Sequence, residues 1–275
     1  MTVNSKALQI KAKHQVYTLL LGDKLSKLYG EGYDFSELRE YQMGDDIRKI
    51  NWIISAKLGK PYIKELQENR ELSVAVAVFM DGSVYFGKDN AKQKKLCEVA
   101  TVLGYATLQN SDLFRGLFYS SKKEFVTPPT KQFYHVEYFS QKLFEASLLE
   151  TKIDYESSIK DLSTHLAKPS LLFVLADFLE NIDLSVLSQK HEVIAVIVRS
   201  RAEESPEKLD EVLLKSPQDG QSVDTYFGAS SKKKYLENLK RNDENLMEHF
   251  FSYNIRYVKI FVDDEVVERL MTLFH

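Results

Sequence analysis

From Leu72 to the end of the chain, short apolar runs alternate with longer stretches of helical pattern, and this order constrains the fold more than any other feature. Runs that are almost continuously apolar are typical of parallel strands covered on both faces. The predicted strands are Leu72–Met80, Phe114–Tyr119, Glu124–Thr127, Leu171–Ala176, Val193–Val198 and Arg256–Phe261, and the predicted helices are Asn90–Asn110, Val136–Leu149, Ser157–Leu166, Lys232–Phe251 and Asp264–Leu273. Strands joined by helices pair in parallel through right-handed crossovers. The sequence therefore predicts a doubly wound, mostly parallel α/β sheet over residues 72–275.

The residues before Leu72 follow a different pattern, so two parts of unequal size are expected. Apolar side chains at three- and four-residue spacing predict a helix within residues 1–30, whereas residues 30–71 are rich in charge, glycine and aromatic residues. We expect residues 1–71 to pack on the sheet of residues 72–275, with their acids and bases paired with one another.

The charge balance and the cysteine content exclude several classes of protein. The 275 residues include 37 Lys and Arg and 40 Asp and Glu, a formal net charge of −3, which does not favour nucleic acid as a partner. Cys97 is the only cysteine, so a disulfide framework is excluded and a cytoplasmic location is expected. The apolar runs are shorter than the about 20 residues that span a membrane, so no membrane insertion is expected.

Polar side chains stand at the ends of three predicted strands. Asp81-Gly82-Ser83 follows the first strand, Asp177 follows Leu171–Ala176, and Arg199-Ser200-Arg201 follows Val193–Val198. In open α/β sheets, ligands bind beyond the carboxyl ends of the strands, and we expect the two carboxylates to lie close together there.

Two interpretations of these residues describe an enzyme. Gly82–Lys88 has the spacing of a P-loop, with Asp177 as the accompanying acid, although Asp89 stands where a Ser or Thr is needed for magnesium. Alternatively, Asp81 is a nucleophile that accepts a phosphoryl group, although Ser83 stands where a second carboxylate is usual.

Two further interpretations are non-enzymatic. Asp81, Ser83 and Asp177 match part of a metal-dependent adhesion site of the von Willebrand factor A type, in which Mg²⁺ takes oxygen ligands and leaves a position for a partner's carboxylate. Tyr85 and Ile153 stand where that motif has Ser and Thr, which favours weak or absent Mg²⁺ binding. In the simplest interpretation, Asp81 and Asp177 only cap the helical turns that follow them.

A separate signal lies in Gly32–Tyr41 and Gly44–Trp52, two segments with many characteristic residues at fixed spacing. They closely resemble the hallmark of family 58 of the domains of unknown function. Ser55–Lys57 and Tyr62–Glu71 continue the match, and the resemblance covers residues 1–200 well and the remainder loosely.

The resemblance implies a bacterial protein with a von Willebrand factor A-like sheet and no established catalytic activity. Such proteins are commonly encoded beside MoxR-type AAA+ ATPases and are thought to act with them as chaperone-like or metal-insertion partners. Asn51, Asn69 and Tyr85 depart from the family's usual Asp, Glu and Ser. We therefore expect a non-enzymatic protein-interaction module whose partner is an AAA+ ATPase.

Two groups of residues make up the predicted partner-binding site. They are Asp81, Ser83 and Asp177 at the strand ends, which are also the expected metal ligands, and Arg39, Asp45, Asp46, Arg48 and Trp52 in the hallmark. Within the hallmark, Asp34 and Glu37 predict a capping box that opens a short helix, and Ile47, Ile50 and Trp52 predict an apolar anchor. The charged hallmark residues form either a structural ion-pair cluster or a docking surface.

Overall fold

The structure is a computed structural model, and it describes residues 35–66, 72–86, 89–207 and 211–274. These residues belong to two compact units, a small unit of residues 35–66 and an α/β unit of residues 72–274. The predicted helix within residues 1–30 lies outside the described residues. The packing of residues 1–71 on the sheet stays a prediction, and each unit is described by itself.

The small unit is an antiparallel pair of strands, β1 (Phe35–Glu40) and β2 (Tyr62–Leu66), with helix α1 (Trp52–Leu58) in the connection between them. Asn51 caps α1 by accepting a hydrogen bond from the Ile54 amide. The short helix predicted from Asp34 and Glu37 is wrong, because residues 35–40 form β1. Pairing with a strand more than 20 residues away in the sequence outweighs the local capping signal there.

The α/β unit is built on a six-stranded sheet. Its strands are β3 (Ser73–Phe79), β4 (Leu113–Tyr119), β5 (Lys123–Val126), β6 (Leu171–Ala176), β7 (Glu192–Arg199) and, after an intervening hairpin, β10 (Arg256–Phe261). The spatial order is β10-β7-β6-β3-β4-β5, with every pair parallel except the antiparallel β4–β5 pair. The predicted α/β class and the mostly parallel pairing are confirmed.

Helices follow the strands, and five of the seven described in the α/β unit overlap helices that the sequence pattern predicts. They are α2 (Ala91–Gln109), α3 (Phe133–Glu145), α4 (Tyr155–His165), α5 (Ser185–Ser188), α6 (Arg201–Glu204), α7 (Ala229–Ser252) and α8 (Val266–Met271). The two faces of the sheet are covered by different helices, since alternate β3 residues Ala75, Ala77 and Phe79 join a core cluster with α4 and α7, while α2 contacts β3, β4, β6 and β7. Burial on both faces explains why these strands are apolar almost throughout.

Close packing of α3 against α2 and β4 depends on two glycines. A Cβ atom added at Gly104 of α2 would lie 2.7 Å from a Val136 methyl group, and one added at Gly116 of β4 would lie 2.8 Å from the Phe139 ring. Since real Cβ atoms do not approach other atoms so closely, α3 can pack at this depth only where these positions have no side chain.

A second hairpin, β8 (Glu211–Lys215) with β9 (Ser222–Tyr226), lies between α6 and α7 and is absent from the sequence prediction. Its two strands form a separate antiparallel sheet. Charged and polar residues interrupt both strands, so neither has the apolar run by which the central strands were recognised.

Among the described residues, the structure contains no helix that is both long enough and apolar enough to cross a membrane.

His191 lies just before β7 and is buried, with neither ring nitrogen hydrogen-bonded within the part of the chain that the structure describes. Burial, together with the positive charge of Lys190, lowers the pKa of His191 below 6.5. The folded state therefore favours the neutral imidazole. Near and below pH 6.5, the unfolded chain consequently binds more protons than the folded chain.

We accordingly expect the contribution of neutral His191 to the free energy of unfolding to be complete above pH 6.5. The free energy of unfolding should fall as the pH decreases below that value. His191→Leu, which cannot be protonated, should flatten this slope in urea denaturation series measured between pH 5 and pH 8, a range set by the ordinary histidine pKa of about 6.5. The slope is compared rather than the absolute stability, so a general loss of packing does not confuse the result. An unchanged slope would contradict the assignment to His191.

Candidate functional site

The three residues predicted at the strand ends meet in the structure. Asp81 follows β3 and Asp177 follows β6, and these strands are neighbours in the sheet. The Ser83 hydroxyl donates a 2.6 Å hydrogen bond to Asp177 Oδ2, and the Ser83 amide donates to Asp81 Oδ1 at 2.9 Å. Ser83 therefore links the two carboxylates, and we call Asp81, Ser83 and Asp177 the strand-end cluster.

Asp81 is buried, and both of its carboxylate oxygens accept hydrogen bonds from the protein. Oδ1 caps the 3-10 turn Gly82–Tyr85 through Ser83, as the capping interpretation predicts. Oδ2 accepts from the Ile153 amide at 3.3 Å and from Gln218 Nε2 at 2.9 Å. Asp81 thus ties together the turn after β3, the segment before α4 and the β8–β9 hairpin.

Asp177 is bound to a buried lysine that the sequence analysis did not single out. Lys92, in the first turn of α2, is 0% exposed, and its Nζ lies 3.1 Å from Asp177 Oδ2 and 2.6 Å from Glu203 Oε1. The other Glu203 oxygen accepts from the Ser200 amide, which completes the Ser200–Glu203 capping box of α6. That Ser-x-x-Glu spacing is visible in the sequence, whereas nothing in the sequence marks the buried Lys92 as different from the exposed Lys94 beside it.

Arg199, at the end of β7, holds the backbone that carries Asp177. Its fully buried guanidinium donates to the Asp177 carbonyl at 3.0 Å and to the Phe178 carbonyl at 2.9 Å, and it forms an ion pair with Asp243 of α7. Phe178 has φ = +51°, an unusual value for a residue with a side chain, and Asn242 also donates to its carbonyl. These donors keep the chain in the sharp bend that directs Asp177 towards Ser83 and Lys92.

The turn of the β8–β9 hairpin lies directly against the strand-end cluster. A Cβ atom added at Gly82 would lie only 2.1 Å from the Pro217 carbonyl oxygen, and that oxygen accepts a hydrogen bond from the Glu150 amide at 2.8 Å. Together with the Gln218 bond to Asp81, this contact makes the hairpin turn a cover over the cluster.

The pKa of the Tyr155 phenol, at the start of α4, is affected by the negative charge of this region. Burial raises the pKa of Tyr155 well above its ordinary value, and the nearby carboxylates of Asp177, Asp81 and Glu180 raise it further. The Tyr155 ring also packs on Phe79 of β3, so the phenol remains a protonated, structural group.

The oxygens of the cluster do not fit a resident Mg²⁺ ion without rearrangement. Each carboxylate oxygen of Asp81 and Asp177 already accepts a hydrogen bond, including one from the Lys92 ammonium. Of the oxygen-bearing side chains on either side of Ile153, Thr151 donates to the Leu148 carbonyl and Asp154 caps α4. Over the described residues, no group of three or more acidic, histidine or cysteine side chains is arranged to hold a metal. The expectation that Mg²⁺ binding is weak or absent stays a prediction.

The enzymatic interpretations gain little from this geometry. Gly82–Tyr85 forms a 3-10 turn whose amides at Gly82, Ser83 and Val84 donate to Thr151, Asp81 and again Asp81, so they are not available to surround a phosphate. Gly87 and Lys88 lie outside the described residues. A nucleophilic role would require access to Asp81, which is 2% exposed.

The rim of the strand-end face carries exposed apolar side chains. Phe86, which ends the 3-10 turn, is 45% exposed, and Leu149 is 54% exposed. The two loops are connected, because the Leu148 amide donates to the Tyr85 hydroxyl at 3.1 Å. Two apolar side chains are therefore held at fixed positions beside a buried polar cluster.

The predicted hallmark residues lie in the small unit, where their charges are paired. Arg39 forms a bidentate pair with Asp45, both N–O distances being 2.7 Å, and Arg48 pairs with Asp46, which also caps the turn Ile47–Lys49. The ion-pair cluster is confirmed in this respect. The apolar anchor is wrong for Ile47 and Trp52, which are 60% and 66% exposed, because Trp52 opens α1 on a side that the unit does not cover.

Comparisons with known proteins identify related sequences, none of them with an assigned role. A family model described as "Protein of unknown function DUF58" matches residues 37–245. The uncharacterized proteins Mb1516 of Mycobacterium bovis and Rv1480 of Mycobacterium tuberculosis are each 25% identical over 217 residues, which cover 76% of this chain and 68% of each relative.

Among solved structures, a conserved hypothetical protein BatB from Bacteroides thetaiotaomicron has a TM-score of 0.41 and 12% identity, covering 74% of this chain and 98% of that one. An aerotolerance-related membrane protein from Bacteroides fragilis has a TM-score of 0.42 and 12% identity, covering 74% of this chain and 96% of that one.

Because Arg199 supports the bend at Phe178, we expect its substitution to destabilise the folded state. Arg199→Met should lower the free energy of unfolding by about 3 kcal/mol, because the Asp177 and Phe178 carbonyls lose their buried guanidinium donor, and Asp243, which keeps Lys259, loses one of its two cationic partners. Arg201→Met is the matched control, since Arg201 pairs with Asp263 and Asp264 at an exposed position two residues away and its loss should change stability little. Equal losses in urea denaturation of the two variants would contradict the assigned role.

Proposed function

The chain belongs to the DUF58 family of proteins of unknown function, and on this premise we propose that it is a protein-interaction module that binds a partner through the strand-end face of its α/β unit. The face consists of the strand-end cluster, the β8–β9 turn that covers it, and the rim residues Phe86 and Leu149. This position agrees with the general rule that open α/β sheets bind their ligands beyond the carboxyl ends of the strands.

One observation carries the proposal: the polar groups of this face are bonded to one another, while its apolar groups are exposed. Asp81 and Asp177 are 2% and 5% exposed, so neither carboxylate is free to act on a substrate. Phe86 and Leu149, by contrast, expose about half of their apolar surface to solvent. Apolar side chains surrounded by satisfied polar groups are typical of the centre of a protein–protein interface.

We further propose a type of domain and a type of partner. We assign the α/β unit to the von Willebrand factor A type, with a degenerate adhesion site in Asp81, Ser83 and Asp177. The resemblance of the hallmark to its family suggests a MoxR-type AAA+ ATPase as the partner. Trp52, 66% exposed beside the paired charges of Arg39, Asp45, Asp46 and Arg48, is then a second contact point, contributed by the small unit.

Substitution of the rim tests the proposal. Phe86→Ser and Leu149→Ser should each weaken binding of a purified MoxR-type ATPase from the same organism about tenfold, equivalent to about 1.4 kcal/mol, because each removes an exposed apolar contact. Isothermal titration calorimetry measures the affinities, and circular dichroism checks that the variants remain folded.

The matched control is Phe251→Ser. Phe251 is 90% exposed near the end of α7, which leads into the start of β10 and so lies at the opposite edge of the sheet. Binding should be unchanged in this variant. Absence of binding by the unmodified chain, or an equal loss in all three variants, would remove the proposal.

A further inference from the structure

The position of Lys92 is unfavourable for a positive charge on two counts. The ammonium is fully buried, and the removal of such an ion from water costs several kcal/mol. Lys92 is also the second residue of the 19-residue helix α2, so it lies at the positive end of the helix dipole, where a cation is disfavoured. A lysine is stable here only if the surrounding groups require a positive charge.

The acidic side chains around Lys92 require such a positive charge. Asp177 and Glu203 are both buried and both within hydrogen-bonding distance of the Lys92 ammonium. Asp81 joins this negative region through Ser83, and the carboxylates of Asp81, Asp177 and Glu180 all act on Tyr155. Without a cation, Asp177 and Glu203 would be two buried carboxylates with no counter-charge, an arrangement that is strongly destabilising.

We propose that Lys92 is the built-in cation of the strand-end cluster, supplying through its ammonium the positive charge that a divalent ion would otherwise have to supply. This role of Lys92 explains why Mg²⁺ does not fit the cluster. Asp177 Oδ2, which would have to bind the ion, already accepts hydrogen bonds from Lys92 and from the Ser83 hydroxyl. The strand-end face is therefore independent of divalent metal. The inference extends the proposed function but is tested without any partner.

Removal of the ammonium should convert the cluster into a site for a divalent cation. The groups released are Asp177 Oδ2 and Glu203 Oε1, and the Ser83 hydroxyl adjoins the first of them at 2.6 Å. All three are oxygen donors, which suit Mg²⁺, Ca²⁺ and Mn²⁺. Lys92→Ala also leaves space for the ion and for the water molecules that complete its coordination.

Titration with Mn²⁺, followed by electron paramagnetic resonance, gives the test. The unmodified chain should show no site that depends on Asp177, whereas Lys92→Ala should gain a site with a dissociation constant of about 1 mM or tighter, the range of weak protein sites for hard cations. The gain should disappear in the double variant Lys92→Ala/Glu203→Gln, which lacks one of the released carboxylates.

Lys95→Ala is the matched control. Lys95 is a second buried lysine of α2, but its ammonium pairs with the single carboxylate of Glu98 and with the Asp264 carbonyl. Its loss removes the same buried charge without releasing two carboxylates, so no Mn²⁺ site should appear.

Two results would overturn the inference. One is Mn²⁺ binding by the unmodified chain that is abolished by Asp177→Asn. The other is a folded Lys92→Ala variant that gains no site. If Lys92→Ala does not fold without metal, the unmodified chain still decides the matter: its melting temperature should be the same in EDTA and in Mg²⁺ at matched ionic strength, and a rise in Mg²⁺ that requires Asp177 would refute the built-in cation.

Discussion

The parallel pairing of β3 with β6 is the constraint on which the rest of the site depends. Because the two strands run in the same direction and are adjacent, the residues that follow them, Asp81 and Asp177, arrive at one edge of the sheet. Two carboxylates brought together by the backbone must each be satisfied where water is excluded. The donors that surround them, Ser83, Lys92 and Gln218, are the consequence of that requirement.

The donors come from elements that are far apart in sequence, and this explains what could be predicted. The apolar runs of β3, β6 and β7 are local signals, so the sequence predicts the sheet, its mostly parallel pairing and the strand-end position of Asp81, Ser83 and Asp177. The bond from Gln218 to Asp81 spans 137 positions and the bond from Lys92 to Glu203 spans 111, and no local pattern marks either pair. Residues that act through such long-range contacts can be identified from the structure but not from the sequence.

The elements that the sequence pattern does not predict also depend on contacts between residues that are distant in the sequence. β1 was predicted to begin as a helix, because the capping residues Asp34 and Glu37 are local, whereas its partner β2 is not. The β8–β9 hairpin has polar residues in both strands, and its role is in its turn, where Pro217 and Gln218 meet the cluster. In the hallmark, the sequence predicts that the arginines pair with nearby acids but leaves the partners open, and the structure pairs Arg39 with Asp45 and Arg48 with Asp46.

The bend at Phe178 has a consequence for the order in which the protein can assemble. Its supports, Arg199 and Asn242, are synthesised 21 and 64 residues after it, and Asp243, which anchors Arg199, follows immediately. During synthesis from the amino end, β3, β4 and β6 can pair while the Asp177 carboxylate still has no fixed direction. The strand-end cluster is therefore completed only when α7 docks, so a chain arrested before that helix can pair the five strands β3–β7 but lacks both β10 and the supports that fix Asp177.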